Sequence, residues 1–268
     1  MTEQTVTETV TAVDGTEIVV DVVGEGDAVV LIGGAFNDRS TVAGLAAQLA
    51  SRFSVFSYDR RGRGASGDES QDYAIADEVG DLATVLGYAG GRASVFGHSS
   101  GAILALEGAR HGLPIERLAV YEPPYSADPD LPRPAPETFG RLKALVAAGD
   151  RDGAAQMFLR ELVGVPEQGV AGMKSGPAWS FLVDKAPSLP YDALLSSPWD
   201  LLGSDRLTGI DVPVLAIYGE QTTPGLAAGT KAVAALVAGA ALEVVPDEDH
   251  SVLQRPAVLA PLLTTFFG

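Results

Sequence analysis

The sequence has no cysteine. That excludes disulfides, thiolate metal sites, iron–sulfur clusters and a cysteine nucleophile. Histidine is scarce: His98, His111 and His250 are the three present, too scattered for an obvious metal site, so neither metal nor cofactor is expected. Positive charge is also short. Eighteen Lys and Arg stand against 35 Asp and Glu, a net charge of −17. Such a chain carries no basic footprint for nucleic acid and is not drawn to anionic membranes. Long apolar runs are missing too, since the longest, Ala232 to Leu242, is well short of the roughly 20 residues that span a bilayer. Met1–Val10 lacks a basic segment followed by an apolar one, so no leader is expected and the cytoplasm is the expected compartment.

What is present is a chain of 268 residues, 46% of them hydrophobic. That is enough for one large domain or two small ones, with a core that needs no covalent staple. Val6–Val13 and Glu17–Val23 are short β-like runs joined by Asp14-Gly15, a tight-turn signal. Ala28–Ile32, Phe53–Tyr58, Ala93–Phe96 and Leu118–Tyr121 are apolar runs of the kind expected for strands buried on both faces. Helical patterns fall between them at Thr41–Ala50, at Tyr73–Leu86 and from near Ser99 to His111, where Gly112 and Pro114 stop the helix.

From Pro123 to about Trp199 the texture changes: prolines accumulate, strand patterns vanish, and short helical patterns appear at Glu137–Ala148 and Asp152–Val163. Alternation then returns with Val212–Tyr218, Pro224–Leu236, Ala241–Val245 and a last helix from about Pro256 to Phe267. Alternation of this kind specifies an α/β fold with a mostly parallel sheet. The expected division is a core of residues 1–122 and 200–268 interrupted by a helical insertion at 123–199.

Ligands of open parallel sheets bind beyond the carboxyl ends of the strands. There the sequence places Gly33-Gly34-Ala35-Phe36, Asp59-Arg60-Arg61-Gly62-Arg63-Gly64, Gly97-His98-Ser99-Ser100-Gly101, Glu122, Gly219-Glu220 and Asp247-Glu248-Asp249-His250. The third of these matches G-x-S-x-G. The pattern is weak by itself, and a serine that merely caps a helix is common. Here it lies between a buried strand and a helix, the context in which a sharp turn presents the serine hydroxyl to a cleft.

These segments resemble the α/β-hydrolase superfamily along nearly the whole chain. The resemblance rests on Gly33-Gly34, the D-x-R-G-x-G-x-S run Asp59–Ser66, the Ser99 elbow and His250. It implies a mostly parallel twisted sheet flanked by helices, with a small helical cap inserted after the sixth strand. It implies Ser99 as nucleophile and His250 as base, and a chiefly structural role for the arginine cluster. His98 is expected to pack rather than react, and His111 to suit a helix C-terminus.

The family's usual acid position after the seventh strand holds Thr222, so that motif is broken. Glu122 and Glu220 are the substitutes, with Glu122 favoured because some relatives carry their acid after the sixth strand. A Ser–His dyad without acid is a third arrangement. The oxyanion donors implied are the backbone N–H of Ser100 and that of Ala35, with Phe36 as alternative. Phe36, Phe158 and Trp179 are the expected substrate-binding residues.

The function so implied is hydrolysis of a small to medium hydrophobic carboxylic ester, thioester or lactone through an acyl-enzyme. A carbon–carbon bond hydrolase, a cofactor-free perhydrolase and a non-catalytic ligand receptor on the same scaffold are the alternatives. The partner expected is a small hydrophobic molecule, and self-association as a homo-oligomer stays open.

Overall fold

The structure, a computed structural model, describes residues 4–70 and 72–268; Met1–Glu3, read above for a leader, lie outside them. Strands β1 (Val6–Thr11), β2 (Glu17–Val23), β3 (Asp27–Ile32), β4 (Phe53–Tyr58), β5 (Ala93–His98), β6 (Ile115–Tyr121), β7 (Val214–Gly219) and β8 (Ala241–Val245) form an eight-stranded sheet. Their spatial order is β1-β2-β4-β3-β5-β6-β7-β8. The pairs β1/β2 and β2/β4 are antiparallel and the rest are parallel.

Helices fill both faces because each apolar strand sends alternate residues to opposite sides. Val30 and Ile32 of β3 join Val95, Leu118 and Val120 against α2 (Ile75–Tyr88) and α3 (Ser100–Arg110). Val29 and Leu31 join Phe96, Ala119 and Ile217 against α1 (Arg39–Leu49) and the C-terminal helix Pro256–Phe267. This two-sided burial explains why the strands read as unbroken hydrophobic runs.

Between β6 and β7 the chain is helical: α4 (Glu137–Ala147), α5 (Arg151–Met157), a π-helical turn Phe158–Leu162, α6 (Glu167–Lys174), α7 (Trp179–Asp184) and α8 (Leu189–Ser196). Leu142, Ala154, Phe158 and Leu189 make a separate small core that also receives Phe36 from the loop after β3. The helical pattern expected over Asp152–Val163 divides at Phe158, where i→i+5 bonding replaces the α register. After β7 come α9 (Pro224–Leu236) and, beyond β8, α10 (Pro256–Phe267).

The arginines of the loop after β4 are all buried and paired. Arg61 bonds Asp81 through two nitrogens at 2.7 Å each and Asp14 at 2.9 Å. Asp59 accepts from the backbone N–H groups of Ala65 and Arg39 and from the Arg39 guanidinium. Among the described residues no helix is long and apolar enough to cross a membrane.

Candidate active site

Ser99 joins β5 to α3 with φ 58° and ψ −126°, left-handed backbone that a non-glycine residue rarely adopts. The turn is tight enough that the residues two positions to either side, Gly97 and Gly101, must lack side chains. A Cβ on Gly101 would lie 2.5 Å from the carbonyl oxygens of Ile32 and Gly33. Phe36, Glu122 and Asp247 are also left-handed, at φ 60°, 48° and 58°. These four strained residues follow β3, β5, β6 and β8 at one end of the sheet, where functional sites concentrate strain, and the fifth, Ser197, ends α8.

Three of the sequence-selected side chains meet there. Ser99 Oγ lies 3.1 Å from His250 Nε2, and His250 Nδ1 lies 2.6 Å from Glu122 Oε2. With Nδ1–H donating to the carboxylate, Nε2 is left to accept the serine proton. Glu122 is fully buried, and its other oxygen accepts the Gly219 N–H at 2.8 Å. Both carboxylate oxygens are thereby engaged, which offsets the desolvation of the charge.

Glu220 does not join this chain. It is exposed, and its carboxylate accepts a long 3.4 Å bond from the backbone N–H of Asp247. Strand β7 ends with Gly219 turned toward Glu122, and the next side chain leaves the cleft. At the usual acid position, the Thr222 N–H donates to Gly219 O.

His250 is held by its neighbours. His98 Nε2 donates to the backbone carbonyl of His250 at 3.0 Å, and Tyr121 Oη donates to that of Asp249 at 2.8 Å. Burial, reinforced by the adjacent His250, pushes His98 down to about 3, so this ring stays neutral and keeps its donor. Packing alone, as expected from sequence, understates what His98 does. His111 closes α3 and its Nδ1 meets Glu107 O.

The loop after β3 lies against the elbow. A Cβ on Gly34 would sit 2.6 Å from Ser99 Cβ. The Gly34 N–H is taken by Asn37 Oδ1 at 2.9 Å, and the Asn37 N–H returns to Gly34 O at 3.2 Å. The N–H groups of Ala35 and Phe36 find no acceptor among the described residues, and that of Ser100, the first residue of α3, has no helical partner.

Ser99, Ser100, His250, Ala35 and Phe36 all border a cavity of about 870 Å³. Tyr125, Phe158, Leu162 and Leu226 contribute apolar wall. Phe36 and Phe158 meet edge to face with centroids 5.4 Å apart. Trp179 is a correction to the sequence reading: it does not border this cavity. Its indole N–H donates to Asp152 at 2.7 Å and Lys174 lies over its ring, so the polar edge of the side chain sets its direction. Conversely, Asp192 of α8 borders the cavity and was not singled out from sequence. An isolated aspartate in a short helix carries no local sign that its partners lie far away in the chain. No group of three or more potential metal ligands occurs among the described residues.

No curated protein sequence matches the chain. The structure of an alpha/beta hydrolase from Sphaerobacter thermophilus is 41% identical, with 97% of this chain and all of that one covered and a TM-score of 0.91. An enol-lactonase from Burkholderia xenovorans matches at 22% identity, covering 97% and 99% of the two chains with a TM-score of 0.74. An esterase from Thermogutta terrifontis matches at 20%, covering 98% and 97% with a TM-score of 0.71. At those lower identities the likeness is one of fold. The model of the alpha/beta hydrolase family matches residues 29–262, from inside β3 to inside α10, a span that takes in the elbow, the buried glutamate and the histidine loop. By sequence and by architecture, this chain belongs to the alpha/beta hydrolase family.

Proposed function

We propose that the protein is a serine hydrolase that cleaves small to medium hydrophobic carboxylic esters, thioesters or lactones through an acyl-enzyme. The observation that carries this reading is the unbroken hydrogen-bond chain Ser99–His250–Glu122 beside uncommitted backbone donors at a largely apolar cavity.

Ser99 Oγ attacks the acyl carbon as His250 Nε2 removes its proton. Glu122 fixes the tautomer of the imidazole and stabilises the imidazolium that forms. The Ala35 and Ser100 N–H groups receive the developing oxyanion, an interaction worth about 3–4 kcal/mol per donor. His250 then returns the proton to the leaving alcohol, thiol or lactone hydroxyl. Water, activated by the same imidazole, releases the acyl group. Phe36 and Phe158 supply apolar surface for the acyl chain or the leaving group.

The test is turnover of p-nitrophenyl esters of graded acyl length, with lactones alongside, by the native protein and Ser99→Ala. A loss on the order of 10⁴-fold or more is expected in the variant. Full turnover by Ser99→Ala, or failure of the native protein to take a fluorophosphonate at Ser99, would end this reading.

A further inference from the structure

A second polar chain, entirely buried, lies behind the oxyanion donors. Asp192 Oδ1 accepts from Ser100 Oγ at 2.6 Å, from Arg63 Nη2 at 2.8 Å and from Arg60 Nη1 at 3.0 Å. Arg63 Nη1 reaches the carbonyl of Gly34 at 2.8 Å, and Arg60 Nη1 reaches Ser100 Oγ at 3.2 Å. Arg60 is forked onto Glu78 of α2 at 2.5 and 2.7 Å. Arg60, Arg63, Glu78 and Asp192 are all at most 2% exposed, two positive groups against two negative. Arg60 and Arg63 occupy the variable positions of the D-x-R-G-x-G-x-S run, whereas its fixed arginine, Arg61, is turned to Asp14 and Asp81.

The geometry bears on the site through one peptide plane. In a trans peptide the C=O and N–H point in opposite directions and cannot turn independently. Gripping Gly34 O therefore fixes the direction of the Ala35 N–H, since the chain has no cis bond among the described residues. The same network holds the Ser100 side chain, whose backbone N–H is the second donor. Asp192 Oδ2 has no partner among the described residues, so the carboxylate is placed for what its Oδ1 holds rather than for its own solvation.

We propose that Asp192, Arg63 and Arg60 are positioning residues for the oxyanion hole. This ion network clamps the Gly34–Ala35 peptide and the Ser100 turn in one orientation, and it makes that orientation depend on α8 of the inserted helices. The proposal rests on the serine-hydrolase reading above. Catalysis gains because donors aimed in advance need no reorganisation when the charge develops.

The experiment compares Asp192→Asn, Ser100→Ala and Arg63→Lys with Arg61→Lys, a control of equal burial in the same loop that does not touch the oxyanion segments. Lysine keeps the charge but replaces the planar fork, one nitrogen on Gly34 O and the other on Asp192, with a single nitrogen of shorter reach. The readouts are kcat and KM on p-nitrophenyl butyrate, and the inhibition constant of a trifluoromethyl ketone, whose adduct places an oxyanion in the same hole. In Arg63→Lys and Asp192→Asn, kcat is expected to fall on the order of 10–100-fold with KM held within about twofold, and the inhibition constant to rise by the same factor. Ser100→Ala, which leaves no charge unpaired, is expected to show a smaller shift of the same kind. Arg61→Lys is expected to lower the Tm while kcat and inhibitor affinity stay within about twofold.

Folded Arg63→Lys and Ser100→Ala with native kcat and native inhibitor affinity would overturn the clamp, even should Asp192→Asn fail to fold. Equal kcat losses in Arg61→Lys and Arg63→Lys would overturn it as well. A native protein that neither turns over the ester nor takes a fluorophosphonate ends the hydrolase reading and the clamp together. An active, labelled native protein with unaffected variants ends the clamp alone.

Discussion

His98 and His250 are joined ring to backbone: the His98 Nε2–H donates to the His250 carbonyl at 3.0 Å, with the two ring centroids 4.7 Å apart. Tyr121 does the same for the preceding carbonyl, that of Asp249. His98 directly precedes Ser99 and Tyr121 directly precedes Glu122. The strands that present Ser99 and Glu122 therefore also tether the loop carrying His250.

This tether makes stability depend on pH in a defined direction. The folded His98 sits at about 3, below the ordinary 6.5. In the unfolded chain the ring protonates as pH falls below 6.5, while in the folded protein it does not. The stability present above 6.5 is therefore lost progressively as pH falls toward about 3. His98→Gln keeps a side-chain donor but cannot titrate. Denaturant unfolding of both proteins at pH 7 and pH 5 should show a stability loss on acidification that is smaller in His98→Gln. Parallel losses in the two proteins would mean that the ring is not held neutral.

The two carboxylates separate by rate. Glu122→Gln keeps one acceptor oxygen, which the Gly219 N–H claims, so the amide NH2 faces His250 Nδ1 and favours the wrong tautomer, an effect on the order of 10³–10⁴-fold in kcat. Glu220→Gln alters an exposed side chain with one long hydrogen bond and should leave kcat within about twofold. Steady-state kinetics on one ester measure both, and the opposite order would assign the acid role to Glu220.

Much of this site was legible because its signals are local. The glycines around Ser99, the apolar strands and the position of His250 after β8 all lie within a few residues of what they determine. The choice between Glu122 and Glu220 was harder, since both end neighbouring strands. What separates them is the left-handed backbone at Glu122 and the Gly219 N–H that receives its second oxygen. Asp192 was invisible, because its meaning depends on Arg60 and Arg63, about 130 residues earlier, being buried opposite it. Trp179 misled because an aromatic residue in a helical insertion reads as apolar wall, while its indole N–H follows whichever carboxylate is near.

Gly34 tests how closely the loop after β3 must approach Ser99. Alanine there puts a methyl group 2.6 Å from Ser99 Cβ and 3.2 Å from Ser99 Oγ, both inside contact distance. The loop must retreat, and it takes the Ala35 N–H with it. Gly34→Ala should therefore fold, retain cavity binding with KM within a few-fold, and lose kcat on the order of 10²-fold, about the effect of one oxyanion donor. A variant with native kcat would place the oxyanion donors elsewhere.

Phe158 is the wall residue whose removal tests where an acyl chain would lie. It is buried, meets Phe36 edge to face and borders the cavity from the π-helical turn. Replacing it with alanine removes the ring from the wall and deprives Phe36 of its partner. The space gained joins the cavity that Phe158 borders rather than sealed core, so part of the lost packing is returned when a longer ligand fills it. Phe158→Ala should destabilise the free protein by about 3 kcal/mol. Its specificity should also shift. kcat/KM for p-nitrophenyl acetate should fall several-fold, because a short chain no longer touches the wall, while the ratio of octanoate to acetate should rise by about tenfold, the worth of about one methylene newly seated at a hydrophobic wall. Acyl-length profiles of the two proteins decide it: an unchanged ratio would mean that the acyl group lies along another wall of the cavity and that Phe158 faces the leaving group.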